Sequence, residues 1–219
     1  MYQVKIAPSI LAGDYAKMGD TVRLLGENGA DMVHCDVMDG NFVPPITFGA
    51  QMVKSIRPYT NLPLDCHLMV ANPEKQIELF AAAGADVISV HVEACSDALL
   101  KTMKRIRELG VKAAAVVNPA TAIEEIFPAV EFADMLLVMS VVPGWGGQKF
   151  IPESLKKIET LREFCLKNGK GELDIEVDGG INEGNVKSVI SAGANVIVAG
   201  SAVFRSENMA ETIARLRVV

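Results

Sequence analysis

The chain has three histidines in 219 residues, and each lies in or closes a short apolar, β-prone run. One run is Asp31-Met-Val-His-Cys-Asp-Val-Met-Asp-Gly40, which ends in an Asp-Gly turn signal and reads as a buried strand running into a loop. Side chains alternate along a strand, so His34 and Asp36 project to one face and Cys35 to the other. An imidazole beside a carboxylate at a strand's end makes a metal or acid/base pair. It is also what a buried histidine satisfied by a neighbouring aspartate looks like, and this stretch alone leaves both open.

The elements that would carry these residues repeat. Gly29-Ala-Asp-Met-Val-His34 returns as Gly84-Ala-Asp-Val-Ile-Ser-Val-His91, as Phe132-Ala-Asp-Met-Leu-Leu-Val-Met139 and as Gly193-Ala-Asn-Val-Ile-Val-Ala-Gly200. A βα unit takes roughly 25–30 residues, so the spacing marks every second unit. The units between predict strands at Val4–Ser9, Leu62–Met69, Lys112–Val117 and Leu173–Asp178. Helices are predicted over Asp14–Asn28, Gly49–Arg57, Pro73–Ala83, Asp97–Leu109, Ile123–Val130, Pro152–Asn168, Glu183–Ala192 and Glu207–Leu216. Asn72-Pro73 is read as a capped start, and Gly110 and Gly169 as stops. Strict alternation requires a parallel sheet. Eight units in a chain of this length predict a single-domain (β/α)8 barrel over residues 1–219, with an open doubly wound sheet as the lesser alternative.

Chemistry in such a barrel sits where the strands end. Those ends supply Ser9, His34 with Asp36, His67, His91, Ser140, Asp178 and Gly200-Ser201. His34, Asp36, His67 and Asp178 make a set of two imidazoles and two carboxylates, suited to Zn2+, Fe2+, Mn2+ or Co2+. His91 is read as a packed neighbour, with a partner standing behind the ligand set as the close alternative, and Glu176, one layer deeper, as structural. Gly144-Trp145-Gly146-Gly147, Gly179-Gly180 and Gly200-Ser201 converge on one sector, where backbone N–H groups can approach an anion such as phosphate.

Half the residues are hydrophobic, 22% are charged and the formal net charge is −6. An acidic chain without a basic cluster argues against nucleic acid as a partner. No apolar run reaches the ~18 residues of a membrane span, and no signal-peptide pattern opens the chain, so a cytoplasmic location is expected. Cys35, Cys66, Cys95 and Cys165 show no C-x-x-C spacing and are expected as reduced core thiols.

At Ala7-Pro-Ser-Ile-Leu11, His34-Cys-Asp-Val-Met-Asp-Gly40, Phe42-Val-Pro44, Asp65-Cys-His-Leu-Met69, Pro143-Gly-Trp-Gly-Gly-Gln148 and Val177-Asp-Gly-Gly180 the sequence resembles the ribulose-phosphate 3-epimerase family, from strand 1 to strand 8. The resemblance implies one divalent metal on His34, Asp36, His67 and Asp178, with no organic cofactor. It implies Asp36 and Asp178 as the two acid/base groups, acting from opposite faces of a 2-ketose phosphate at C3. Ser9, His67, Gly144, Trp145, Gly146, Gly147, Asp178, Gly179, Gly180, Gly200 and Ser201 would contact substrate. Met38, Met69 and Met139 would line the pocket, and a homo-oligomer is implied. Val142, Trp145, Pro45 and Cys35 depart from the family's usual residues and bear on substrate choice. Allulose 6-phosphate 3-epimerisation is the sister activity. A metal-dependent hydrolase and a non-catalytic sugar-phosphate binding barrel are the more distant alternatives.

Overall fold

The structure is a computed structural model describing residues 3–217; the expected domain, 1–219, runs beyond it at both ends. Eight parallel strands alternate with helices. They are β1 (Lys5–Ala7), β2 (Val33–Met38), β3 (Leu64–Met69), β4 (Val87–His91), β5 (Lys112–Val117), β6 (Met135–Met139), β7 (Asp174–Asp178) and β8 (Val196–Val198). Neighbours pair in ring order from β2 round to β8 and then β1. Ser9 bridges His34 in parallel, and the His34 and Asp31 N–H groups donate to the Pro8 and Ile6 carbonyls, closing the ring. The expected (β/α)8 barrel is the fold, and the open sheet is excluded.

The repeated aspartate has a mechanical job. Asp31, Asp86, Asp134 and Asn195 each precede an even-numbered strand. Their side chains accept from the N–H of Ile6, Leu64, Ala113 and Ile175, at 2.7, 2.8, 2.9 and 2.8 Å. Every odd-numbered strand is thus held near its start by the strand that follows it. Arg217, Arg57 and Arg162 reach the same groups at Asp31, Asp86 and Asn195. The repeat is visible in the sequence because this connection is needed four times.

The helices are α1 (Met18–Glu27), α2 (Ala50–Ile56), α3 (Ile77–Ala83), α4 (Val92–Cys95), α5 (Leu99–Glu108), α6 (Ser154–Lys167), α7 (Val186–Ser191), α8 (Ser201–Phe204) and α9 (Met209–Arg217). Three expectations need correcting. Residues 123–129 form 3-10 turns rather than an α-helix, and Pro128 inside them has no N–H to donate. Asn72 makes no side-chain cap bond, and Pro73 opens a 3-10 turn ahead of α3. The start expected at Asp14 is delayed to Met18, because Asp14 caps a separate 3-10 turn through the Ala16 N–H. The short helices α4 and α8 were not expected.

Cys35, Val37, Cys66, Leu68, Ile88 and Val90 face outward from the strands into the layer shared with the helices. All four cysteines are free and buried. Inside the barrel, the lower floor is apolar: Ala7, Met32, Val87, Ala114, Met135, Val196 and Val198. Above it, in register, come buried polar residues: His34 beside Asp65 and Asp36 beside His67. Burying polar groups costs several kcal/mol unless they are paired, so a polar layer above a sound apolar floor needs a reason. No helix among the described residues is long and apolar enough to cross a membrane.

Candidate active site

The register of the strands delivers the set. Asp36 pairs with His67 across β2 and β3, and Met139 pairs with Asp178 across β6 and β7. Asp36 Oδ1 lies 3.4 Å from His34 Nε2 and 3.1 Å from His67 Nδ1. Its Oδ2 accepts from Ser9 Oγ at 2.5 Å. One ligand atom each from His34, Asp36, His67 and Asp178 fall within 4.8 Å of one another.

His34 is oriented from behind. Its Nδ1 sits 2.6 Å from Asp65 Oδ2, and Asp65 Oδ1 accepts from Ser89 Oγ at 3.2 Å. With the proton on Nδ1, Nε2 presents a lone pair to the cluster, and that buried atom has no hydrogen-bond partner. A buried nitrogen without a hydrogen-bond partner is costly, and a divalent ion, in place of the proton that the surrounding carboxyls favour on this ring, would satisfy it. The donor set therefore fits a metal. Glu176 Oε1 is 3.4 Å from His34 Nδ1, and burial together with Asp65 pushes its carboxyl well above the usual range. His34, Asp65 and Glu176 also bring ligand atoms within 4.8 Å of one another, one layer below the first set.

The two proposed acid/base carboxyls are driven apart. Burial would raise Asp36, but the imidazoles of His34 and His67 outweigh it and hold Asp36 far below the usual carboxylate range. Burial, then the charge of Asp36, pushes Asp178 up to about 6. For His34, burial works against the charged form, and Asp36, Asp65 and Glu176 reverse that, raising it well above its ordinary value. One ionised and one protonatable carboxyl in a single cavity is the arrangement of an acid/base pair.

His91 is more than a packed neighbour. Its Nε2 is 2.8 Å from His67 Nε2, and its Nδ1 is 3.1 Å from Glu93 Oε2. Burial, only partly offset by Glu93, pushes His91 down to about 4, so it is neutral near pH 7. The Phe42 ring lies against it, with centroids 4.7 Å apart.

Above the carboxylates opens a cavity of about 340 Å3. Ser9, Asp36 and Asp178 line its base, and Met38, Met69 and Met139 its walls. Gly144, Trp145, Gly146, Gly147, Gly179, Gly180, Gly200 and Ser201 form the rim. His34 and His67 are fully buried behind Asp36 and do not line the cavity. The glycines differ in what they are for. Gly180 has φ +69°, and a Cβ there would stand 2.4 Å from Phe150 N; Gly179 has φ +126°, with Val141 Cγ2 2.5 Å away. Those two are required by loop packing. Gly146 is under no such demand, its nearest neighbour to a Cβ being Leu11 Cδ2 at 3.8 Å.

The model of the ribulose-phosphate 3 epimerase family matches residues 5–204. The chain belongs to the ribulose-phosphate 3-epimerase family. It is 52% identical over 217 residues to ribulose-phosphate 3-epimerase of Synechocystis sp., covering 98% of this chain and 93% of the relative. The Bacillus subtilis ribulose-phosphate 3-epimerase is 47% identical, covering 98% of both chains. Among solved structures, a tryptophan synthase alpha-subunit variant from Pyrococcus furiosus superposes with TM-score 0.71 at 17% identity, covering 99% of this chain and 98% of that one. A 3-hexulose-6-phosphate synthase superposes with TM-score 0.67 at 16% identity, covering 98% of each chain. At such identities these two show the shared barrel alone.

Several residues around the epimerase cavity escaped the sequence reading. Thr47 Oγ1 donates to the Asp36 carbonyl at 2.7 Å and accepts from the Met38 N–H at 3.0 Å, pinning the end of β2. Gln148 Nε2 donates to the carbonyls of Val142 at 2.6 Å and Trp145 at 2.8 Å, so it shapes the glycine loop from within. Arg205, just past α8, also lines the cavity. The Gln148 motif was visible; its internal role was not, because both bonds run to backbone atoms.

Proposed function

We propose that the chain interconverts D-ribulose 5-phosphate and D-xylulose 5-phosphate by inversion at C3, with one divalent ion on His34, Asp36, His67 and Asp178. The observation that carries this reading is the pair of carboxyls on β2 and β7, one ionised and one raised to about 6, facing a single cavity. C3 lies next to the C2 carbonyl, so its proton is acidic once charge on the ketose oxygens is stabilised. When bound, the ion supplies that Lewis-acid stabilisation. Asp36, ionised, removes the C3 proton of the ribulose epimer, and Asp178 delivers a proton to the opposite face. In the reverse direction the two exchange roles. Ser9 holds Asp36 through its Oδ2 and fixes the direction in which the carboxylate points. No organic cofactor is required. The chemistry accepts Zn2+, Fe2+, Mn2+ or Co2+. The deciding assay is catalytic efficiency on ribulose 5-phosphate set against allulose 6-phosphate; a preference for the latter would overturn the substrate assignment.

The rim serves the phosphate in this reading. Gly146→Val places a branched side chain at a rim glycine that has room for a Cβ and no positive φ, so the fold should survive it. The KM for sugar phosphate should rise roughly tenfold, about 1.4 kcal/mol of binding, with metal content and melting temperature unchanged. An unaltered KM would remove the loop from the phosphate site.

Charge adds a second handle. Among the described residues Arg205 is the only cation lining a cavity that also holds two carboxyls, and no hydrogen bond or ion pair of its side chain is found there. A phosphate dianion entering that cavity is drawn by it. Arg205→Gln should raise KM by about 5- to 10-fold at low salt, and the difference should shrink as salt screens the exposed guanidinium. A salt-independent KM in both proteins would show that Arg205 does not face the ligand.

A further inference from the structure

We propose that Glu93 and His91 act as positioning residues for the metal site, fixing the proton of His67 on Nε2 so that Nδ1 is bare toward the ligand cluster. The inference rests on the reading of His67 as a metal ligand.

The argument is a chain of donors and acceptors. His67 Nε2 and His91 Nε2 are 2.8 Å apart. Two ring nitrogens at that distance need one N–H and one lone pair. Which is which is decided at the far side of His91, where Nδ1 meets Glu93 Oε2 at 3.1 Å. A carboxylate oxygen only accepts, so Nδ1 of His91 carries the proton and its Nε2 is the acceptor. His67 must then donate from Nε2. Its Nδ1 lies 3.1 Å from Asp36 Oδ1 and can hold a proton only while the ring is an imidazolium; in the neutral ring that a metal requires, the proton stays on Nε2 and Nδ1 is the atom turned to the cluster. Glu93 is itself fixed, since its Oε1 accepts the Asn118 N–H at 2.8 Å beyond the end of β5.

The two histidines of the cluster thus offer opposite nitrogens, Nε2 from His34 and Nδ1 from His67, and a carboxylate decides each. Asp65 acts on His34 directly. Glu93 acts on His67 through one intervening ring. Ligand histidines oriented in this way owe roughly 10- to 100-fold of metal affinity to the partner behind them.

Glu93→Gln is the discriminating change because it keeps shape and reverses polarity. The Asn118 N–H still requires an oxygen at the Oε1 position. The amide NH2 therefore occupies the Oε2 position and donates to His91 Nδ1. His91 must shift its proton to Nε2, and His67 must accept there and carry its proton on Nδ1, where the metal belongs. A purely structural Glu93 would tolerate glutamine.

The test uses the full chain stripped of metal and retitrated with Zn2+ or Co2+ against a competing chelator. Glu93→Gln should bind ~10- to 100-fold more weakly, with the melting temperature of the metal-free protein unchanged. On 15N-histidine-labelled parent protein, long-range proton–nitrogen correlations should place the His91 proton on Nδ1, and in Glu93→Gln on Nε2. The parent measurement needs no variant to fold. A His91 proton on Nε2 in the parent, or parental metal affinity in Glu93→Gln, overturns the proposal. His67→Ala separates the two readings: if it keeps its metal, His67 is no ligand, whereas if it loses metal while Glu93→Gln does not, only the relay falls.

Discussion

Stripped of metal by prolonged chelation, the protein should lose at least ~10³-fold in turnover, about 4 kcal/mol of transition-state stabilisation. Zn2+, Fe2+, Mn2+ or Co2+ should each restore activity. The expectation comes from the protein's own atoms. His34 Nε2 is buried and unpartnered, and two carboxyls and a second imidazole converge on the same space. Without an ion, charge developing on the ketose oxygens would meet the ionised Asp36, and the two imidazoles are buried and do not line the cavity. His67→Ala should lose metal and turnover together. Metal analysis must accompany the rate measurement, because full activity in protein verified as metal-free would end the metal hypothesis.

Run in D2O, a single passage should place deuterium at C3 of essentially all the product, while substrate recovered early carries little. Asp36 and Asp178 sit on β2 and β7, with β1 and β8 between them in the ring, so they can address opposite faces of a sugar lying across the mouth. The proton that Asp178 delivers comes from solvent. The proton that Asp36 removes tends to return to the face it left. Substituting either aspartate would confuse proton transfer with loss of a ligand, and the isotope avoids that. Early product retaining its original hydrogen would indicate a single shuttling base or a hydride route.

The sequence carried the barrel because its construction is periodic. Asp31, Asp86, Asp134 and Asn195 do the same job four times, and repetition is what a single sequence can display. The convergence of the four candidate ligands was legible for a similar reason: alternation and strand ends decide which way His34, Asp36, His67 and Asp178 point. What stayed hidden depends on loops meeting in space. Glu93 lies on α4, a single turn too short to leave a periodic signal, and its anchor at Asn118 belongs to the next unit. His91 was placed at the correct end of the barrel, but its bond to His67 depends on ring orientation. Residues 123–129 show an apolar spacing that fits a helix, and Pro128 diverts it. Arg205 carried no signal, since a lone arginine after a glycine-serine pair has many uses.

Seven of the eight strand boundaries are zipped by ladders of backbone bonds, and the eighth, between β1 and β2, is held by one bridge and a few donations to carbonyls. That boundary is a seam, and the candidate site is stitched across it. Ser9 stands just beyond one lip, His34 and Asp36 on the other, and the Ser9 hydroxyl grips the Asp36 carboxylate. A ligand held by Asp36 is thus held by a residue tied across the seam. One that binds the folded barrel and not the unfolded chain lends its binding free energy to the fold at its least-bonded boundary.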